Sequence, residues 1–264
     1  MNNGTVSIVT ICKNARETIA QTMQSVIAQT YNNIQYIIID GASDDGTASL
    51  IQSIGRYSTF ISEPDHGATY ALNKGLRFAT GEFVFFLNAD DWISPEFIAI
   101  AVDNLRSMPH VDFVYSDLTI VGAGSSHLIQ AAETYRSKIR YTMPRINYPT
   151  IVYRQSVFSK VGDFNTGFNV SPDYEFNLRA YLSGFRGAKI KNASVFFRDD
   201  GNSNRNESRA LREVFAASVL HVGNIPMASL WYLVKIIKIF VRYLLSQSGL
   251  SFLYLWVKKI RYYS

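Results

Sequence analysis

Two neighbouring carboxylates follow a strand-like segment in this sequence. The segment Glu82–Leu87 (EFVFFL) leads directly into Asn88-Ala89-Asp90-Asp91. Acids placed just after a buried strand are costly unless they are solvated, hydrogen-bonded or bound to a cation. A divalent ion would relieve their mutual repulsion, and Mg²⁺ or Mn²⁺ is typically held by one or two carboxylates plus substrate phosphate oxygens. The pattern predicts either a metal site at Asp90 and Asp91 or a polar loop that caps the next helix.

Two further acidic segments have types and positions that suit chemistry. Asp40 ends an apolar run and begins the loop Gly41–Thr47, whose glycines permit tight turns. An acid there can accept hydrogen bonds from a base or a ribose, and the alternative is an ordinary connection with helix caps. Asp173 lies in Ser171–Glu175, which begins a helix, where an acid commonly only complements the helix dipole.

Cysteine and histidine usage excludes other kinds of site. Cys12 is the single cysteine, which excludes a disulfide framework and a cysteine zinc site and fits a reducing compartment. The four histidines show no metal-ligand spacing, and one of them, His66, lies in the short loop Glu63–Gly67.

The elements that must position these acids alternate along the first 115 residues. Apolar runs predict strands, and helical spacing or capping signals predict helices, at Val6–Ile11, Arg16–Thr30, Ile34–Ile39, Thr47–Ile54, Tyr57–Ser62, Ala68–Ala79, Glu82–Leu87, from Ser94, and at Val111–Tyr115. Parallel strands need crossover helices of this length, so the pattern predicts an α/β fold with a single doubly wound, mostly parallel sheet. Ligands of such sheets bind beyond the carboxyl ends of the strands, which places the Asp40 and Asn88 loops on the same edge.

The remaining chain divides into two parts. Residues 116–213 are less regular and would complete the domain that residues 1–115 begin, with strands at Ile146–Tyr153 and Ala193–Arg198 and helices at Ser156–Val161 and Asp173–Leu182. Gly122–Ser126 indicates a turn. Residues 214–264 form a helical C-terminal extension.

Charge is distributed unevenly between these parts. Residues 1–213 hold 20 Lys/Arg and 21 Asp/Glu, whereas residues 214–264 hold six Lys/Arg and no acid. This weighs against a nucleic-acid-binding protein with a basic face spread over its fold. A hydrophobic content of 47% and a charged content of 18% exclude a disordered chain. The first residues lack the pattern of a signal peptide, so we expect a cytoplasmic location.

The C-terminal extension has the composition of a membrane-surface helix. Leu230–Leu245 is apolar except for three basic residues, Lys235, Lys238 and Arg242, which share one side of a helix. Residues 229–264 contain nine of the chain's 36 aromatics, and aromatics with basic residues are typical of interfacial helices. We predict that residues 229–264 bind a membrane surface, with packing on the domain or in a homo-oligomer as the alternative.

Seven segments, taken in order, resemble the family-2 inverting glycosyltransferases, whose nucleotide-sugar domain has the GT-A fold. They are SIVTICKNA (7–15), SVIAQTY (25–31), IIIDGASDDGT (37–47), EPDHG (63–67), ALNKG (71–75), ATGEFVFFLNADDW (79–92) and FSKVGDFN with SPDYEFNLR (158–179). Each segment is weak alone, but seven in this order and spacing are specific. The resemblance runs from Ser7 to about Ser203 and replaces the purely structural interpretations of the acidic loops.

The resemblance implies how the donor would be bound. Asp40 and Asp65 match positions that contact the nucleobase, and Asn73 lies in the helix that faces the nucleotide. Asn88-Ala89-Asp90 matches the Asp-X-Asp signature of the family. Asp90 would then hold Mn²⁺ or Mg²⁺ at the diphosphate with Asp91 in support. Asn88, in the donor-binding set, keeps an oxygen ligand but lacks the charge of the acid it replaces, so we expect a lower metal affinity.

The acceptor side is implied in the same way. Asp173 matches the acid that deprotonates the acceptor hydroxyl. The sequence departs from the family pattern at Asn88, which replaces an acid, at Gly41, where many members have a second Asp, at Ala68–Tyr70, and at Tyr148-Pro149, near where relatives often have His-Gln. Asp90 and Asp173 are both present, so we expect an active enzyme.

The expected function is metal-dependent inverting transfer of a hexosyl or N-acetylhexosaminyl group. The donor would be a nucleotide sugar, such as a UDP-sugar, and the acceptor a hydroxyl of a glycan or lipid-linked saccharide in cell-surface polysaccharide synthesis. A single base suffices for this reaction, whereas glycoside hydrolases use two carboxyls. One alternative is a non-catalytic sugar-nucleotide-binding subunit of a membrane assembly, and Asn88 is its support. The other is a nucleotidyltransferase, which needs a basic glycine-rich loop that Thr10–Arg16 lacks.

Overall fold

The protein is described by a computed structural model that covers residues 4–122, 124–136, 138–146, 148–198 and 207–247. The strands are β1 Val6–Cys12, β2 Ile34–Asp40, β3 Thr59–Ser62, β4 Phe83–Phe86, β5 Trp92–Ile93, β6 Phe113–Tyr115, β7 Leu118–Gly122, β8 Ser125–Ile129, β9 Val152–Arg154, β10 Gly187–Lys189 and β11 Val195–Arg198. The helices are α1 Ile19–Ile27, α2 Thr47–Ile54, α3 Ala68–Phe78, α4 Phe97–Ser107, α5 Gln155–Val161, α6 Pro172–Leu182, α7 Glu207–Val222 and α8 Ile225–Gln247. A short 3₁₀ helix spans Tyr148–Thr150.

The main sheet has seven strands in the order β10-β6-β9-β4-β1-β2-β3. All neighbours are parallel except β9, which runs antiparallel to both β4 and β6. The register of β1, β2 and β3 places Cys12 opposite Asp40 and Asp40 opposite Ser62. The carboxyl ends of the parallel strands therefore meet at one edge, and the doubly wound α/β fold of the prediction is confirmed.

The core forms on both faces of this sheet because successive strand residues point to opposite sides. Ile8, Ile38 and Phe85 pack under α1 and α4 on one face. Val9, Ile37 and Phe86 belong to the core of the other face, which also takes in residues of α3, α5, α6 and α7. These buried runs are short and apolar on both sides, as expected of parallel strands covered by helices.

A second sheet of four strands, in the order β5-β11-β7-β8, accompanies the main one. The prediction of a single sheet omitted it. β7 and β8 pair antiparallel around the Gly122–Ser126 segment, which was predicted only as a turn. Four of the five β8 residues are exposed, so the segment lacks the apolar alternation that reveals a half-buried strand.

The predicted strand Ile146–Tyr153 is largely wrong. The chain makes a 3₁₀ turn at Tyr148–Thr150 and enters the sheet only at Val152, as β9. Pro149 has no backbone N–H to donate to a neighbouring strand, which explains why the ladder begins after it. The helix predicted at Arg16–Thr30 is also shorter, whereas Thr47–Ile54 is confirmed as α2.

The C-terminal helices differ in how they are packed. Val214, Ala217 and Ser218 of α7 are buried, and the Tyr174 hydroxyl of α6 lies 3.0 Å from Ser218 Oγ. The division proposed between residues 213 and 214 falls inside this helix. Helix α8 exposes one apolar row, which we call the α8 apolar face: Leu230, Leu233, Ile237, Phe240 and Leu244.

Over the residues that the structure covers, no helix has both the length and the apolarity needed to cross a membrane. The last part of the predicted membrane-binding segment, residues 248–264, lies outside the described residues.

Candidate active site at the carboxyl edge of the main sheet

The acids of the Asn88–Asp91 segment lie just beyond β4, beside the end of β1. Asn88 and Asp90 are half-buried, and Asp91 is fully buried. Asn88 Nδ2 donates to Asp91 Oδ2 at 3.0 Å, and the Arg198 backbone N–H donates to Asp91 Oδ1 at 3.4 Å. Asp91 therefore orients Asn88 and ties the segment to β11.

This pair of acids has the charge and donor types of a divalent cation site. Burial and the neighbouring charge of Asp90 raise the pKa of Asp91 well above its ordinary value. A cation at Asp90 would offset that repulsion, and carboxylate and amide oxygens are the ligands that Mg²⁺ and Mn²⁺ prefer. In the described part of the chain, no group of three or more His, Cys, Asp or Glu could hold a metal. The residues fit a cation whose coordination is completed by substrate oxygens.

Asp40 is buried at the end of β2 and its carboxylate is already hydrogen-bonded. Ser62 Oγ donates to Oδ2 at 2.6 Å, the Ser43 backbone N–H donates to the same oxygen at 3.0 Å, and the Ser43 hydroxyl donates to Oδ1. Burial alone would raise the pKa of Asp40, but these hydrogen bonds hold it below its ordinary value. Asp40 fixes the loop after β2, and a nucleobase contact would have to share these hydrogen bonds.

Asp65 presents a more accessible carboxylate at the same place. Its Oδ1 accepts a hydrogen bond from the Gly67 backbone N–H at 2.9 Å, and the residue is half-buried. A Cβ at Gly41 would lie only 2.6 Å from Asp65 Oδ2. The missing side chain of Gly41 thus makes room for the Asp65 carboxylate. Because Gly41 follows Asp40 directly, Asp40 and Asp65 lie at the same place in the structure.

Asn73 connects α3 to the segment after α5. Its Nδ2 donates to the Phe164 carbonyl at 2.8 Å, and its Oδ1 accepts from the Phe164 backbone N–H at 2.9 Å. The side chain is buried, so both ends of the amide serve this clamp. Both hydrogen bonds of the Asn73 amide thus go to the backbone of Phe164, and the nucleotide contact predicted for Asn73 stays a prediction.

Asp173 occupies the first turn of α6, after Ser171 at the N-cap and Pro172. Burial raises the pKa of Asp173 from 3.8 to about 6. Hydrogen bonds from the backbone N–H groups of Asp173 and Tyr174 oppose this rise, and the negative charge of Glu213 adds a smaller contribution to it. The carboxyl is half-buried. A carboxylate with this pKa is ionised at neutral pH and basic enough to accept a proton.

Glu213 is a candidate site residue that the sequence did not indicate. From α7, its Oε2 accepts hydrogen bonds from the Val170 and Ser171 backbone N–H groups at 2.8 Å each, and its Oε1 accepts from Asn169 at 3.2 Å. It thereby holds the segment that precedes Asp173. The contact spans more than 40 positions of the chain, so local periodicity gives no signal of it.

Arg198 is the second residue that sequence reasoning missed. It ends β11, its guanidinium lies 5.6 Å from the centre of the Trp92 ring, and its NH2 donates to Gln21 Oε1 at 2.7 Å. Its Nε is buried without a hydrogen-bond partner among the described residues. This places a positive charge beside Asp91, and the position of Arg198 at a strand end is the signal that could have indicated it.

The sequence matches known proteins over most of its length. A sequence model of the family described as "Glycosyl transferase family 2" matches residues 7–162. An "uncharacterized glycosyltransferase" of Mycobacterium tuberculosis is 31% identical over 188 residues, which cover 67% of this chain and 69% of that protein. A "PGL/p-HBAD biosynthesis glycosyltransferase" of Mycobacterium bovis is 24% identical over 186 residues, 66% of this chain and 69% of that protein.

Solved structures share the fold. Residues 1–349 of S. aureus TarS in complex with UDP-GlcNAc superimpose with a TM-score of 0.64 at 18% identity, covering 92% of this chain and 73% of that one. The mannosyltransferase PcManGT from Pyrobaculum calidifontis in complex with GDP-Man and Mn²⁺ gives 0.66 at 19% identity, covering 88% and 70%. At these identities the likeness shows the GT-A fold alone, and it confirms the fold expected from the sequence.

Proposed function

Since the chain belongs to glycosyl transferase family 2, we propose that it is an inverting enzyme that moves a hexosyl or N-acetylhexosaminyl group from a nucleotide-diphosphate sugar to a hydroxyl of a saccharide acceptor. The observation that carries this proposal is Asp173, a half-buried carboxylate whose pKa is raised to about 6 and whose segment is held in place by Glu213. Such a group suits a general base toward a sugar hydroxyl.

The carboxyl edge of β1, β2 and β4 would bind the donor. Asp65 presents its carboxylate to the base or ribose, while Asp40 keeps the loop beneath it in place. Asn88 and Asp90 would hold Mn²⁺ or Mg²⁺ at the diphosphate, with Asp91 orienting Asn88. When bound, such an ion neutralises negative charge on the departing diphosphate oxygens. The Arg198 guanidinium, held over Trp92 and bonded to Gln21, adds a positive charge that acts on Asp91.

The transfer itself needs one proton acceptor. The acceptor oxygen attacks the anomeric carbon of the donor, the bond from that carbon to the diphosphate oxygen breaks, and the hydroxyl proton passes to Asp173. In-line attack inverts the anomeric centre without an enzyme nucleophile. Because the nucleophile is an alcohol, a base within hydrogen-bond reach raises the rate by about 10²- to 10⁴-fold.

We propose a UDP-sugar as donor and a cell-envelope glycan or lipid-linked saccharide as acceptor. The TarS structure contains UDP-GlcNAc, and a mycobacterial relative is named for PGL/p-HBAD biosynthesis, which supports an envelope glycan. The GDP-Man in the PcManGT structure makes a GDP-sugar the alternative donor.

We also propose that the protein acts at the cytoplasmic face of the membrane, held there by α8. The α8 apolar face is exposed along four turns of the helix, and Lys238 lies exposed on another side. An apolar row with basic residues beside it is typical of helices that lie in a membrane interface. Contact with a second copy through the same row is the alternative.

A donor screen tests the transfer. Nucleotide release from UDP-glucose, UDP-galactose, UDP-GlcNAc and GDP-mannose is measured with and without Mn²⁺, in the presence of octyl glycosides as acceptors. We expect acceptor-stimulated release that requires the ion and that is lost in Asp90→Asn and Asp173→Asn. Asp103→Asn, an exposed acid on α4, is the matched control and keeps full activity.

Binding of a nucleotide without release from any donor would contradict the proposal. It would favour the non-catalytic subunit instead, for which the replacement of an acid by Asn88 is the supporting observation.

A further inference from the structure

Tyr148 packs against the strand that leads into the Asn88–Asp91 segment. It begins the 3₁₀ turn Tyr148–Thr150 before β9. Its ring stacks on Phe86 with the centroids 5.8 Å apart and meets the edge of Phe164 at 6.2 Å. Phe86 ends β4, two residues before Asn88, and Phe164 is the residue that Asn73 clamps. The ring of Tyr148 is therefore held by two fixed aromatic neighbours.

The hydroxyl of Tyr148 is buried, and it has no hydrogen-bond partner among the described residues. Other buried tyrosines of the described chain do have one: the hydroxyl of Tyr153 donates to Asn177 Oδ1 at 3.0 Å, that of Tyr174 to the Ile139 carbonyl at 2.8 Å, and that of Tyr115 to the Ala132 carbonyl at 2.9 Å. Buried polar groups are nearly always satisfied, so an exception such as the Tyr148 hydroxyl calls for an explanation, and a bound ligand group is one.

Asp173 acts electrostatically on two buried tyrosine hydroxyls, those of Tyr148 and Tyr153, and of these two the Tyr148 hydroxyl lacks a partner among the described residues. Burial raises the pKa of Tyr148 well above its ordinary value, so the phenol stays protonated. Ser171, two residues before Asp173, also has a buried hydroxyl without a partner among the described residues. Two hydroxyls in need of partners thus accompany the carboxylate that would receive the acceptor's proton.

We propose that the Tyr148 hydroxyl binds the acceptor saccharide, donating a hydrogen bond to a hydroxyl next to the one that attacks, with Ser171 Oγ as a second contact. This inference rests on the proposed function, because it places the acceptor at Asp173. A sugar hydroxyl both donates and accepts, so it can bond a neutral phenol where a second carboxylate would repel the base. The ring is fixed by Phe86 and Phe164, so its hydroxyl has one position and discriminates between orientations of the acceptor hydroxyl.

The test compares Tyr148→Phe with Tyr153→Phe in the full chain. Both remove one phenolic oxygen, but among the residues that the structure covers only the Tyr153 hydroxyl has a hydrogen-bond partner. The probes are the octyl glycosides and nucleotide sugars of the donor screen. For Tyr148→Phe we expect the acceptor KM to rise roughly threefold to tenfold, the value of one hydrogen bond, with the donor KM unchanged. Its melting temperature should equal or exceed that of the wild type, because an unsatisfied buried oxygen is removed.

Tyr153→Phe is expected to behave in the opposite way, with a lower melting temperature and an unchanged acceptor KM. An unchanged acceptor KM in Tyr148→Phe, with wild-type transfer intact, would overturn this inference and leave the proposed function standing. An equal rise in the donor and acceptor KM, or a fall in melting temperature, would assign Tyr148 a structural role and also overturn it. A wild-type protein that transfers to none of the probes would instead contradict the proposed function.

Discussion

Asp173→Asn should stabilise the protein while abolishing transfer. The carboxyl has a pKa of about 6 in the folded protein against an ordinary value of 3.8, because burial disfavours its charge. Folding at neutral pH therefore carries the cost of ionising Asp173 in a poorly solvated place. An amide of the same shape carries no charge and can still accept from the backbone N–H groups at the start of α6.

The size of the effect follows from the pKa difference. A pKa difference of about two, at about 1.4 kcal/mol for each pH unit, gives an upper bound of about 3 kcal/mol for the gain in the free energy of unfolding. Because the carboxyl is half-buried, solvent screening reduces the expected gain to about 1 to 2 kcal/mol. For a chain of this size each kcal/mol is worth about 2–4 °C, so the melting temperature should rise by about 2–8 °C.

The pH dependence makes the reasoning specific. Between pH 3.8 and about 6 the folded protein binds more protons at Asp173 than the unfolded chain, so this residue makes the wild type less stable as pH rises. The difference in melting temperature between Asp173→Asn and the wild type should be absent below pH 3.8, grow through this window and stay constant above it.

Thermal unfolding between pH 3 and 8 measures this, with Asp103→Asn as the exposed control that shows no such gain. An Asp173→Asn variant that melts at or below the wild-type temperature at pH 8 would refute the account of a desolvated base. Retained transfer in the same variant would refute its assignment as the base.

Three further changes have expected outcomes. Glu213→Gln should lower kcat roughly tenfold by loosening the segment before Asp173. It should also move the acidic limb of the pH–rate profile to lower pH, because the Glu213 charge helps to raise the pKa of Asp173. Arg212→Gln on the same helix is the control, and an acidic limb that stays in place would contradict this electrostatic coupling. Asn73→Ala leaves two backbone groups of Phe164 unpaired and should lower the free energy of unfolding by about 2–4 kcal/mol, measured with urea; a loss of nucleotide affinity at unchanged stability would restore its predicted nucleotide contact. Leu233→Glu should abolish co-sedimentation with anionic lipid vesicles and leave transfer to octyl glycosides intact; loss of a dimer in light scattering, with vesicle binding unchanged, would assign the α8 apolar face to a second copy.

Local sequence patterns predicted the parts of the fold that are locally determined. The parallel core of β1, β2 and β4 is encoded in short apolar runs, and the acids that follow those runs had to lie at one edge once the strands were parallel. The second sheet was not predictable in the same way, because β8 is exposed at four of its five positions and β5 has only two residues.

The roles of individual site residues depended on contacts that the sequence does not display. Asp40 pairs with Ser62 across 22 positions, and Asn73 with Phe164 across 91, so side chains expected at the nucleotide are engaged with the protein itself. Glu213 shows the converse, since an acid within an ordinary helix holds the segment before Asp173, the proposed base. Residue type and strand-end position predicted which acids would meet at the sheet edge, whereas the hydrogen-bond partners of each side chain could be read only from the three-dimensional structure.

Glu213 also bears on how much of the chain the proposed transfer needs. A chain that stopped after Arg198 would keep Asp65, Asn88, Asp90 and Asp173, yet it would lose the carboxylate that accepts three backbone hydrogen bonds ahead of the base. If Asp173 acts as proposed, helix α7, Glu207–Val222, belongs with the sheet edge to the part of the chain that positions it. Helix α8 contributes none of the residues proposed for the transfer, so we expect that replacing it with another amphipathic helix would leave transfer to octyl glycosides unchanged.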